Sequence, residues 1–198
     1  MPPPRIILVR HGPSAYVEKH GVVDHAGVYK WRDGYDAAGI LAGAQPPPAL
    51  SDLAANAQHI VASDLRRAIE SAERLAARRE IRVTELLREA PLALPRWPTR
   101  LPVMAWGLMA YASWKIQLRR GIDPLESDTA RAGTAADWLV DMVSDGSTAV
   151  VVTHGVFRWL LANQLLSRGW NDARREGGYQ HWSAWSFSPE ARAIRRRT

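Results

Sequence analysis

Two short runs, Ile6-Ile7-Leu8-Val9 and Thr148-Ala149-Val150-Val151-Val152-Thr153, constrain the fold of this chain more than any other feature. Neither alternates apolar with polar residues, as a strand with one wet face would. A continuous β-branched run of this length is the pattern of a strand covered on both faces. His59-Ile60-Val61-Ala62 is a weaker run of the same kind. Helical periodicity follows two of the three. Leu65, Ala68, Ile69, Ala72, Leu75 and Ala76 recur at three-to-four spacing, with Ser63 or Asp64 placed to cap the helix. Residues 156–166 read as a mostly apolar buried helix ended by Gly169, and residues 129–143 as another helix. Strand–helix alternation implies an α/β fold, three-layer α/β/α with a mostly parallel central sheet.

The 198 residues fit one domain, 1–198. Residues 12–50 are rich in Gly, Ala and Pro, with a short helix expected around 29–38. Residues 90–125 form a cap-like helical insertion marked by Pro95, Trp97, Pro98, Trp106 and Trp114. Within it, residues 101–114 are apolar all round, so a helix there has to be covered. The absence of cysteine excludes disulfides, thiolate metal sites and cysteine nucleophiles.

The charge is uneven. The net +6 is carried by residues 90–122, with five cations and no acid, and by residues 168–198, with seven Arg against three acids. Such segments suit an anionic partner. No apolar stretch approaches the ~18 residues of a membrane span, and no signal-peptide core follows Met1, so a cytoplasmic protein is expected.

Ligands of open α/β sheets bind beyond the carboxyl ends of the strands. Here those ends are Arg10-His11-Gly12, Ser63 followed by Arg66 and Arg67, and His154-Gly155. Parallel strands bring two histidines and at least two arginines to one edge, a setting for a phosphoryl group. Arg10-His11-Gly12 after a strand resembles the signature of the histidine phosphatase superfamily, which includes the cofactor-dependent phosphoglycerate mutases. Residues 63–72, with the family arginine falling on Arg67, resemble its second-arginine segment. Val151-Val152-Thr153-His154-Gly155 is similar to its second-histidine motif, and Leu87-Arg88-Glu89 falls where the family carries its acid. The resemblance covers residues 5–12, 60–76, 85–91 and 148–166.

The resemblance implies His11 as nucleophile, Glu89 as proton donor and acceptor, and His154 as a donor to the phosphoryl oxygens. Arg10 and Arg67 would clamp phosphate, and Ser14 matches a hydroxyl often found after the first motif. No metal or cofactor is required. Other readings accompany each residue. Arg67 could be a solvated helix arginine, as Arg66 and Arg74 are taken to be, and His154 alone would be a core histidine. Glu85, four residues before Glu89, competes for the role of acid. His20, His25, His59 and His181 are read as surface or loop residues without metal-ligand spacing. The family's phosphate-holding Asn falls at about Val17, and the long acid-containing stretch that mutases carry after their Glu is replaced by Ala90-Pro91-Leu92. Both departures bear on function, and the second favours a phosphatase over a mutase.

The expected partner is a small phosphorylated substrate, with oligomeric state open. A non-catalytic phospho-ligand or nucleic-acid binder and a mutase-type phosphotransferase are the alternatives. For the basic, Trp-rich segment a lid, a single-stranded nucleic-acid groove, an interfacial apolar helix and plain core packing all fit, and nucleic acid is disfavoured as a partner. The tail 192–197 is read as a solvated terminus.

Overall fold

The computed structural model describes residues 3–16 and 21–190, with the side chains of residues 172–174 and 176 outside the description. The elements run β1 (Arg5–Arg10), β2 (Val22–Val23), α1 (His25–Ala37), α2 (Pro48–Ala55), β3 (His59–Ser63), α3 (Arg66–Ala76) and β4 (Arg82–Thr84), then a 3-10 turn at Glu85–Leu87. They continue with β5 (Leu101–Pro102), α4 (Val103–Arg119), α5 (Glu126–Met142), β6 (Thr148–Thr153), α6 (Gly155–Ser167), β7 (Trp170–Glu176) and β8 (Ala184–Pro189). Residues 17–20 and the tail 192–197 lie outside the described residues, and with them Val17 and His20.

Six strands form one sheet in the order β4-β3-β6-β1-β8-β7. The first four are mutually parallel, and β8 and β7 add an antiparallel edge. The two apolar runs lie side by side, with Ile6 opposite Ala149 and Val9 opposite Val152. Their residues divide between two cores, as strands covered on both faces require. Ile6, Leu8, Ala149 and Val151 pack with Leu139 of α5 and Phe157 and Leu161 of α6. Ile7, Val9, Val150 and Val152 face the other way, toward Leu50 of α2 and Ala68, Ala72 and Leu75 of α3. The fold is thus α/β, with helices on both faces of a mostly parallel sheet.

Two local expectations need correction. Neither Ser63 nor Asp64 caps α3, whose N-cap position is Leu65 with no side-chain bond. Ser63 Oγ is shared between Leu65 N–H and His154, and the Asp64 carboxylate is held by Arg88 Nε at 2.8 Å. The apolar stretch at 101–114 is only partly covered: Trp106, Ala110 and Trp114 are buried, while Met104 is 78% and Leu108 65% exposed. Within the basic segment 168–198, for which no element is expected from the sequence, β7 and β8 pair and place Trp185 and Phe187 inside the core.

A two-stranded pairing of β2 with β5, Val22 opposite Pro102, ties the chain before α1 to the start of α4. Trp106 Nε1 donates to the Val23 carbonyl at 3.0 Å and reinforces that tie. As a result α1 and α4 stand together beyond the carboxyl ends of the central strands.

Candidate active site

His11 and His154 each follow the last residue of a strand, β1 and β6. Because these strands are neighbours in register, the backbone N–H of His11 reaches the Thr153 carbonyl at 3.0 Å and the two rings stand 5.1 Å apart. Gly12 leaves room for the Trp182 ring, since a Cβ placed there would sit 2.5 Å from it. Trp182 itself has a φ of +62°, a strained value for a bulky residue, and its N–H donates to the Arg10 carbonyl.

His11 is buried, and its Nδ1 lies 2.7 Å from the Gly12 carbonyl. A carbonyl only accepts, so Nδ1 carries the proton and the Nε2 lone pair faces outward. Arg67, on the first turn of α3, donates to that Nε2 from Nε at 3.3 Å. Burial first, and the Arg67 charge second, hold the His11 imidazole well below its usual range and therefore neutral. His154 is displaced downward for the same two reasons in the same order. Its Nε2 meets Ser63 Oγ at 2.9 Å. Its Nδ1, together with Nε of Arg10, is buried without a hydrogen-bond partner among the described residues. Unpartnered buried polar groups carry a cost of ~1–3 kcal/mol each, which an anion at this point would relieve.

Glu89 enters from the segment after β4. Its Oε1 accepts from the N–H groups of Ala90, Val156 and Phe157, and its Oε2 from that of Gly155, all between 2.9 and 3.1 Å. The carboxyl thus seals the N-terminus of α6, directly beside His154. Burial pushes it up, against the pull of these N–H groups. Glu85 is exposed and does not line the cavity described below. Ser14 is buried, but its Oγ accepts from the Tyr16 N–H two residues on. No hydrogen bond joins it to His11, Arg10, Arg67 or His154 among the described residues.

Several neighbours were invisible in the sequence. His181, read as a loop histidine, does sit in the turn between β7 and β8, yet its ring is 5.4 Å from that of His11. Burial, helped by Arg10, holds it down at about 4. Asp36 pairs with Arg67 Nη2 at 3.0 Å, and the Arg67 guanidinium lies 4.6 Å over the Tyr35 ring. Ser71 Oγ bridges the site, accepting from Gly12 N–H and donating to the Arg67 carbonyl. Arg158, one turn beyond His154, is fully buried over the Trp185 ring and donates to Ser183 O at 2.7 Å. Burial, with Arg10 adding to it, lowers its guanidinium to about 9. One signal for it existed: it is the single charge in the apolar run 156–166.

A cavity of about 470 Å3 opens from Arg67 and Glu89 and continues between α1 and α4. Among the described residues no group of three His, Asp or Glu side chains is arranged to hold a metal ion, and no helix is long and apolar enough to cross a membrane.

The chain matches the histidine phosphatase superfamily (branch 1) over residues 6–197 and belongs to that superfamily. Its fold is similar to that of mycobacterial hydrolase 2, at 21% identity over 84% of this chain and 74% of that one, with a TM-score of 0.55. It is also similar to mycobacterial glucosyl-3-phosphoglycerate phosphatase solved with VO3, at 20% identity over 82% of each chain and a TM-score of 0.50. No curated protein matches the chain.

Proposed function

We propose that the protein is a phosphatase that hydrolyses a phosphomonoester through a covalent phosphohistidine on His11, without metal or cofactor. The observation that carries this reading is the His11 ring, its tautomer set by the Gly12 carbonyl and its Nε2 beside the Arg67 guanidinium. Nε2 attacks phosphorus as the bond to the ester oxygen breaks, and the departing electron pair takes the proton of the Glu89 carboxyl. Water then attacks phosphorus, Glu89 accepts its proton, and the P–N bond breaks to release orthophosphate and restore His11. Arg10 and Arg67 bind the phosphoryl oxygens with forked donors, and Nδ1 of His154 adds a third contact as charge spreads over them. Ser14 serves the turn at Tyr16 in this reading, and residues 90–125 act as the cap of a single domain. The membership of the superfamily supports the assignment.

The test is capture of the intermediate. Enzyme mixed with excess substrate and denatured at alkaline pH should carry one phosphate on the peptide containing His11, and phosphate release should be insensitive to EDTA. Undiminished turnover in His11→Ala overturns the reading.

The role of Glu89 has its own signature. With Glu89→Gln, kcat/KM for an alkyl phosphate should fall by roughly 10²–10⁴. For para-nitrophenyl phosphate, whose phenolate leaves without a proton, the loss should stay under about tenfold. Steady-state phosphate release on both esters decides it, and equal losses remove Glu89 from proton transfer.

A further inference from the structure

The cavity that leads away from His11 is walled mostly by apolar groups, with the charged residues Arg32, Asp36, Arg67, Arg88 and Glu89 among them. From α1, one helical face contributes Val28, Trp31 and Tyr35, with Trp31 stacked on Tyr35 at a centroid distance of 5.1 Å. From α4, Val103, Gly107 and Ala110 face it at the same three-to-four spacing. The floor is the segment after Glu89, with Pro91, Leu92 and Leu94. At about 470 Å3 it lies within the ~300–1,000 Å3 range of small-molecule sites.

The charges in this wall are mostly engaged already. Arg67 is paired with Asp36 at 3.0 Å, Arg88 holds Asp64 at 2.8 Å, and Glu89 is bound by four backbone N–H groups. Arg32 lies 4.5 Å over the Tyr29 ring. Tyr35 is the one uncharged wall residue with a side-chain hydroxyl, so a polyhydroxylated leaving group would lose its water and gain few bonds. Gly107 also lines the cavity. It stands inside a seventeen-residue helix, where glycine is the poorest residue after proline, and a Cβ placed on it meets nothing within 4 Å. A larger side chain at this wall position would therefore have open space to occupy.

We infer that the phosphomonoester taken by this site is the ester of an apolar, uncharged alcohol, alkyl or aryl, whose hydrocarbon lies between α1 and α4. This rests on the phosphatase reading above and names its substrate class. Tyr35 and Trp31 hold the carbon nearest the phosphoryl group, and a longer chain extends past Gly107, where a bulkier side chain would compete with it.

The test is a matched series of methyl, propyl, hexyl and 1-naphthyl phosphates set against phosphoserine and 3-phosphoglycerate. Each buried methylene should raise kcat/KM by up to about fourfold. Hexyl phosphate should thus exceed methyl phosphate by at least tenfold and both charged esters by more. Hexyl and naphthyl phosphates together separate a chain-shaped from a ring-shaped alcohol. Gly107→Leu should cut the hexyl-to-methyl ratio at least tenfold. Phosphoserine or 3-phosphoglycerate equalling hexyl phosphate overturns the inference, as does a ratio unmoved by Gly107→Leu. If no ester releases phosphate, the phosphatase reading falls, and the cavity is judged on binding alone. Hexylphosphonate should then quench tryptophan fluorescence at one tenth or less of the concentration needed by 2-amino-4-phosphonobutanoate. Equal affinities overturn it.

Discussion

Arg67→Ala should lower kcat/KM for phosphomonoester hydrolysis by roughly 10³ or more, the scale on which an arginine clamp stabilises a transferring phosphoryl group. The size follows from how completely this side chain is committed. It is buried, its Nε faces the attacking nitrogen of His11, and its Nη groups reach the Tyr35 carbonyl and the Asp36 carboxylate. Arg67→Lys keeps the charge but cannot reproduce three directions at once, so a loss on the order of 10² is expected there. The pH profile separates this role from mere support. His11 attacks only when neutral, so kcat/KM rises as pH rises through its pKa and then levels off. In the wild type that limb lies well below 6.5, because burial and then Arg67 depress it. Removing Arg67 removes the second cause, and the limb should move up toward the ordinary imidazole range. Rates measured from pH 4 to 7.5 decide the matter. A wild-type kcat/KM in Arg67→Ala, or an acid limb that stays in place, contradicts the assignment.

What could be read in the chain, and what could not, divides along local against tertiary causes. β1 and β6 were legible because burial on both faces leaves an uninterrupted apolar run, and α3 because one face of it packs on the sheet. With those three elements placed, His11, Arg67 and His154 come to one edge by parallel pairing alone. β7 and β8 were not legible. Arg175 and Ser186 are ordinary surface residues in sequence, and only pairing with β1 puts Trp185 and Phe187 inside. The misread cap has a similar origin: Ser63 is a good N-cap by type, but His154, ninety-one residues away, claims its hydroxyl. Asp36, Tyr35 and His181 reach the site from loops and a helix end with no local signal. Exposed Met104 and Leu108 show the converse, an apolar stretch whose covering by tertiary neighbours is incomplete.

The same buried histidines should make the fold sensitive to acid. His11 and His154 are both held well below 6.5 in the folded protein, chiefly by burial, while in the unfolded chain they titrate near ~6.5. Below that pH the unfolded chain binds the extra protons, so stability falls as pH falls and is fully present only above it. Each histidine contributes a slope of up to ~1.4 kcal/mol per pH unit between its folded and unfolded pKa, so stability declines as pH falls below ~6.5. Glu89 works in the opposite sense. Its carboxyl is raised, so the folded state takes up a proton before the unfolded chain does and recovers part of the loss at the acid end. Urea unfolding at pH 7.5, 6.0 and 5.0 should show the midpoint dropping at each step. The double variant His11→Asn, His154→Asn should flatten that slope, and a wild-type midpoint constant across this range contradicts the account. Added orthophosphate should flatten it too. Beyond burial, Arg67 and Arg10 penalise a protonated imidazole here, and an anion lying among them offsets that part, so the acid sensitivity of the fold and the affinity of the site for phosphate share this electrostatic cause.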